Sequence, residues 1–413
     1  MQFTSLLALA GAALAATTSS LNATLTSTTS VAVASGCSFS KTLTVTAQAQ
    51  LDALASCEAI KGDIYITGDL GTGSIANVKA IYGDLSIFNA TLLASFAADS
   101  IGAISGELSL ESLTILSQLS FGSLTSVGAI NWVTLPALVD TGLNQVTDCN
   151  SIYISDTQLS SLEGLNPTNV ETYNINNNLN LASIDSEIET VSNALSISHN
   201  GDNTEVAFDG LQWANNLTFY SVSSISMPNL QAINQSAGVF ESSVESLKFP
   251  LVQSVGADLT IENNKDLTDL EFANLTSVGG GFVVVNNTDL KSIGSLSNLK
   301  SVTGAVDVEG DFDNFTLPAL KTVRGAFTVV STGDFDCSDF EKLSKQGSIQ
   351  GDFECKAGSS SSSSSSTKTS SSSSTGSSSS SSSSSSSKGA AAELEIRPVS
   401  ILGTFVALMF ALF

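Results

Sequence analysis

The chain reads as an all-β protein, a parallel β-solenoid, on three observations: a self-similar apolar unit, its regular recurrence, and cysteines placed at both ends of the repeated region. The unit is an apolar residue followed by apolar residues four and six positions on. It is clearest at Ile60, Ile64 and Ile66, at Ile81, Leu85 and Ile87, at Val191, Leu195 and Ile197, and at Val255, Leu259 and Ile261. The starts assigned from the sequence are 60, 81, 104, 127, 146, 170, 191, 213, 233, 255, 278, 302, 323 and 349, a spacing of 19 to 26 residues.

Alternation within each unit predicts a short strand with one face inward, and a fixed period of about two dozen residues predicts stacked coils. A single coil cannot bury its apolar face. Stacking does so, with three inward aliphatics per coil contributing ~1.5 to 3 kcal/mol each. Asn-rich stretches follow the strands at Asn176 to Asn178, Asn263–Asn264 and Asn286–Asn287, where amides can serve turn backbone or form ladders between coils. Pro228, Pro250 and Pro318 each stand five residues before a start, outside the strands that need every N–H. Leu135 and Pro136 break that offset, so the coil between 127 and 146 is expected to be irregular. Cys37 and Cys57 precede the first coil and Cys337 and Cys355 flank the last. Local pairing would staple both ends, each loop worth roughly 3 kcal/mol, although five cysteines also permit other pairings. Cys149 is left over and is expected to be a small buried thiol in a turn.

The flanks read as addresses. Residues 1–16 form an apolar segment ending in small residues, the layout of a secretory signal peptide. A flexible segment, 17–36, leads to the solenoid at 37–357. Residues 358–388 are almost pure Ser with Thr367, Thr369 and Thr375, a segment with nothing to bury and a substrate for O-glycosylation. Residues 389–413 run from small residues through a polar spacer to an apolar tail, the order of a GPI-attachment signal. Gly389 is the expected anchored residue, with Ser387 as the fallback. Seven N-glycosylation sequons lie at Asn22, Asn89, Asn216, Asn234, Asn274, Asn286 and Asn314, while Pro167 removes Asn166.

Composition excludes several functions. With 15 Lys plus Arg against 39 Asp plus Glu, the net charge is −24. Only Arg324 and Arg397 supply guanidinium groups, so nucleic acid is not an expected partner. His199 is the sole imidazole, which leaves neither a His-based zinc site nor a Ser/His/Asp site. No cofactor and no metal are expected. Carboxylates remain as candidates for glycan hydrolysis. Asp63, Asp84 and Asp352 follow recurring glycines, and Asp202 and Glu205 lie near His199, but the Gly-Asp positions read more simply as turn acceptors. Trp132, Trp213 and Tyr220 are candidate sugar-stacking platforms, weighed against core positions. His199, followed by Asn200 and Gly201, reads as a turn residue.

The signal peptide, the Cys37/Cys57 and Cys337/Cys355 caps, strings such as Leu275 to Val278 and Ile261 to Asn264, the Ser stalk and the anchor tail together resemble one family. It is that of the fungal GPI-anchored cell-wall organisation proteins of the extracellular-mutant and sporulation-specific type, with receptor L-domain-like repeats. The resemblance covers essentially the whole chain. It implies a right-handed solenoid and a non-enzymatic role in wall assembly and integrity, with no catalytic residue to transfer. It places the protein on the outer face of the plasma membrane through a GPI lipid, and in the wall. Its implied partners are wall polysaccharide (glucan or chitin) or wall proteins.

Overall fold

The structure is a computed structural model and describes residues 31–294 and 296–358. The proposed signal peptide, the Ser-rich stalk beyond its first residue and the anchor signal, with Asn22, Ser387 and Gly389, lie outside the described residues. The rest is a parallel β-solenoid of about fourteen turns. Its main sheet carries three inward columns in register. One runs from Ile60, Ile81 and Ile104 to Val127 and Cys149, and farther on through Val255, Val278, Val302 and Val323 to Ile349. A second runs from Ile64, Leu85 and Leu108 to Phe327 and Phe353, and a third contains Ile66, Ile87, Leu110, Trp132 and Ile154. Nearly all of these side chains are buried.

Two assigned starts shift. Val127 pairs with Cys149 rather than Val146, and Val191 pairs with Ala214 rather than Trp213. Cys149 is therefore not in a turn. It occupies the inward start of the strand Asp148–Thr157, where a thiol fills the place that valine holds one coil below. The coil after Val127 is regular on this sheet. Its irregularity lies on the second sheet, where Phe121–Leu143 and Val146–Leu165 are isolated bridges instead of strands.

The central strands, Ala103–Glu111, Ser126–Leu135, Asp148–Thr157, Asn169–Asn176, Thr190–Ser198 and Trp213–Tyr220, are 8 to 10 residues long. Toward both ends each divides in two, as in Ala59–Lys61 and Ile64–Ile66. Glycine marks the break because backbones touch there. A Cβ on Gly279 would stand 1.9 Å from the Gly256 carbonyl oxygen, and one on Gly83 would stand 2.6 Å from that of Gly62. The acid beside the break ties coil to coil. Asp63 Oδ1 accepts from Asp84 N at 3.0 Å, Asp84 Oδ1 from Glu107 N at 2.8 Å, and Asp258 Oδ1 from Gly281 N at 2.6 Å.

At or just past the end of the main-sheet strands, from Asn89 to Asn286, the chain turns through a left-handed residue with φ between 45° and 61°, His199 among them. Asn recurs at this corner because its short polar side chain tolerates that conformation. The next residue points inward and is often a buried amide. Asn178 Nδ2 donates to Asn200 Oδ1 at 3.0 Å and to Ile154 O at 3.1 Å, and Asn200 Nδ2 donates to Ile175 O at 2.9 Å. Asn264 repeats the pattern, donating to Asn287 Oδ1 at 3.0 Å and Val239 O at 3.1 Å while accepting from Ser242 N at 3.0 Å. These ladders satisfy backbone groups that the corner removes from the sheet.

Both ends are covered. Cys37–Cys57 and Cys337–Cys355 are disulfides with Cα separations of 5.8 and 6.0 Å. Helix α1, Gln48–Leu54, buries Leu51 and Leu54. Its Gln48 amide bonds the backbone of Ser74 in both directions, at 2.9 and 3.0 Å, and so occupies the edge of the second sheet. Helix α2, Ser338–Lys345, has Asp339 and Glu341 in its first turn and Lys342 and Lys345 in its last, each favourable to the helix dipole. It seats Phe340 against Phe315, Phe327 and Phe335.

Removing one rung should cost stability, because its partners stay buried and unpaired. Asn264→Ala should lower unfolding free energy by about 3 kcal/mol in denaturant titration. Asn263→Gly, at the half-buried left-handed corner next to it, should change it by less than about 0.5 kcal/mol, because glycine adopts that conformation freely. Cys149 is the free, buried cysteine, and burial pushes its thiol up to about 12. A thiol reagent at pH 8 should find no reactive group in the native protein and one after denaturation.

Candidate functional site on the outer face

The alternation that buries three columns turns the intervening side chains outward, so the outer face of the main sheet is also written in columns. Its middle runs through Ala129, Ser151, Thr172 and Ala194, through Asn131, Tyr153, Asn174 and Ser196, and through Val133, Ser155, Asn176 and Ser198. These twelve positions carry no charge. Acids stand at the margins. Glu107 and Glu111 both hold Asn131 Nδ2, at 3.2 and 3.1 Å, and Ser109 Oγ donates to Glu111 at 3.2 Å.

Beyond this region the face becomes aromatic and then acidic. His199, Tyr220 and Phe240 stack on successive coils, with centroids 5.7 and 4.7 Å apart and planes within 18° of parallel. Burial, with Glu241 and Glu262 nearby, raises the Tyr220 phenol above its usual range. Beside the stack, an open concavity is lined by Ser221, Glu241, Asn263, Lys265, Asp266 and Asn286. Farther on, Asp307 sits on the outer face between Val283 and Thr328. Burial first, then Glu309 and Glu262, raises its carboxyl to about 6. Its Oδ1 is buried without a hydrogen-bond partner.

The candidates named from sequence are dispersed. Asp63 and Asp84 accept backbone N–H groups of the next coil, as turn acceptors do. Asp352 is exposed in the last coil, where no further coil lies beyond it among the described residues. Asp202 and Glu205 are exposed, and His199 stacks on Tyr220 rather than joining either. Trp132 is fully buried and is not a platform. Trp213 is half-buried and donates from Nε1 to Asn234 Oδ1 at 3.3 Å. Tyr220 is half-buried within its stack, whereas the exposed aromatic of the neutral face, Tyr153, was not singled out by sequence. Tyr153 pairs with Asn131, one position before the buried Trp132–Ile154 pair, and because the inward residues of this strand stand three and five after Cys149 instead of four and six, the repeat pattern alone did not place it outward.

Of the sequon residues described, Asn89, Asn234, Asn274, Asn286 and Asn314 are exposed. Asn216 is half-buried, donating to Asn193 O at 3.1 Å and accepting from Ser236 N at 3.3 Å. Among the described residues no group of three His, Cys, Asp or Glu could hold a metal ion, and no helix is long and apolar enough to cross a membrane.

The chain is 44% identical over 317 residues to the cell wall mannoprotein PST1 of Saccharomyces cerevisiae, covering 76% of this chain and 71% of that protein. It is 38% identical over 303 residues to the cell surface GPI-anchored protein ECM33 of Candida albicans, covering 72% and 73%. It is 35% identical over 314 residues to the protein ecm33 of Aspergillus fumigatus, covering 75% and 78%. No family model matches the chain, and no solved structure does.

Asp307 generates a pH prediction. Its folded value lies above the ordinary 3.8, so the folded state binds the proton more tightly. The stability it favours is present below about pH 4 and is lost as pH rises toward 6. Because the side chain is only partly buried, screening reduces the cost to about 1 kcal/mol. Asp307→Asn should therefore stabilise the protein by about that amount at pH 7, with no gain at pH 3.5, in thermal melts at the two pH values.

Proposed function

We infer the function of this chain from its family: it belongs to the fungal cell-wall mannoproteins and GPI-anchored cell-surface proteins. It is a glycoprotein of the cell surface and wall that acts without catalysis, as a rigid scaffold needed for wall organisation, assembly and integrity. The observation that carries this reading is the use of polar groups. Recurring acids and amides are engaged in tying coil to coil, as Asp84 to Glu107 N and Asn264 to Ser242 N, rather than converging on a cleft. The anchor at Gly389, the Ser-rich stalk and N-glycans at Asn22, Asn89, Asn216, Asn234, Asn274, Asn286 and Asn314 belong to the same reading. Partners are wall polysaccharide or wall proteins, met along the exposed faces of the solenoid.

One observation favours a second reading. Glu107 and Glu111 share a single amide donor, and a close carboxylate pair is what glycoside hydrolysis requires. They lie on an open sheet face and are occupied with Asn131 and Ser109, which supports a structural role. The test is to incubate the intact glycoprotein with β-glucan, chitin and mannan oligosaccharides and follow their masses. The expected result is unchanged masses for the wild type. Turnover that disappears in Glu107→Gln or Glu111→Gln would overturn the scaffold reading.

A further inference from the structure

We propose that the neutral outer face between Ala129 and Ser198 is the docking surface for an extended, uncharged β-1,4-linked N-acetylhexosamine chain, the polymer type of chitin. The proposal rests on the wall-surface reading above and names the surface and ligand class within it.

Four observations converge on this face. In a chain of net charge −24, its twelve outward positions hold no ionisable group except the Tyr153 phenol, and the exposed Glu171, next to Thr172, stands at their edge. That suits a neutral polyol and gives nothing to an anionic or cationic polymer. It is also free of sequons. None occurs between Asn89 and Asn216; Asn216, half-buried, pairs with Ala194 at the far edge of the face, and the later coils carry exposed Asn234, Asn274, Asn286 and Asn314. Part of its polar set is unspent: Asn131, Ser155, Thr172 and Asn176 are hydrogen-bonded within the protein, but among the described residues the hydroxyls of Ser151, Tyr153, Ser196 and Ser198 have no hydrogen-bond partner. The Asn174 carboxamide accepts from Asn176 Nδ2 at 2.9 Å and keeps its own N–H groups free. Finally, Tyr153, 36% exposed at the centre, offers a ring face for a pyranose.

The geometry selects among neutral glycans. Each column repeats every ~4.8 Å from coil to coil, close to the length one β-1,4-linked pyranose adds to a flat, extended chain. A ribbon lying along the solenoid axis thus meets one coil of the face at each sugar, passing Asn131, Tyr153, Asn174 and Ser196 in succession. A β-1,3-glucan winds into a helix and cannot keep this register. The acetamido groups of the ribbon can accept from Asn174 Nδ2 and donate to Asn131 Oδ1, the amide groups that the protein's own hydrogen bonds leave open.

A glycan wedge tests the assignment. Ser196→Asn completes a sequon with Ile197 and Ser198 in the middle of the face, and Ser224→Asn completes one with Ile225 and Ser226 on the second sheet. With purified full-length glycoprotein, chitohexaose should bind at least tenfold more tightly than laminarihexaose. Glycosylated Ser196→Asn should lose at least tenfold in chitohexaose affinity and recover when an endoglycosidase trims the glycan to one sugar. Glycosylated Ser224→Asn should bind as the wild type does. Absence of chitohexaose binding, preference for laminarihexaose, or equal binding by both glycosylated variants would overturn the proposal. Cells lacking the protein, scored for wall integrity after rescue by the wild type, report on the scaffold role separately. Rescue without chitohexaose binding removes the face assignment alone, and chitohexaose cleavage removes the non-enzymatic reading.

Discussion

Every coil depends on its neighbours for hydrogen bonds and for burial. A strand of three residues, such as Ile64–Ile66, has no stability of its own. In register with Leu43–Val45 and Leu85–Phe88, it has both backbone edges paired and two apolar side chains covered. That requirement fixes the rest of the design. Glycines stand where coil backbones come within contact, buried amides take over at corners the sheet cannot serve, and disulfides with short helices close the two ends. Tolerance of period, from 19 to 26 residues, follows as well. Register is enforced at the inward columns and extra residues are absorbed in the loops.

Because the interior uses nearly every aliphatic group, chemistry is left to the outside, and there it is sorted along the axis. The face begins with the Glu107/Glu111 margin, continues as a hydroxyl and amide field, and passes into an aromatic stack and then acids around Asp307. Relatives that carry cell-wall and cell-surface names fit a molecule whose surface is long and repetitive rather than cleft-like.

Much of the fold was legible because inward columns impose a pattern on sequence that no other architecture gives at this period. Ile60, Ile81 and Val255 were read correctly, and the corner amides and Gly-Asp acids were recognisable from their position after or between strands. The misreadings have a common physical cause. Cys149 and Ala214 are small residues at inward starts, and the bulkier Val146 and Trp213 nearby carried the stronger apolar signal. Helices α1 and α2 fall outside the repeat, although the Ala/Gln run before Leu51 and the acid-to-base order of 338–345 were available cues. The neutral face was illegible for a different reason. Its residues are some twenty positions apart in the chain, and only a correct register places Tyr153 beside Asn131 and Asn174.

The register is therefore the point to test, and hydroxyl-radical footprinting of the intact glycoprotein reads it directly from side-chain accessibility. Tyr153 is outward, whereas Trp132 and Tyr173, on the adjacent coils, are 0% and 1% exposed. Tyr153 should oxidise rapidly, with Trp132 and Tyr173 untouched until the protein unfolds. Oxidation of Trp132 or Tyr173 at a rate comparable to Tyr153 would mean that the strands are slipped by one residue, and both the interior and the outer face described above would be wrong.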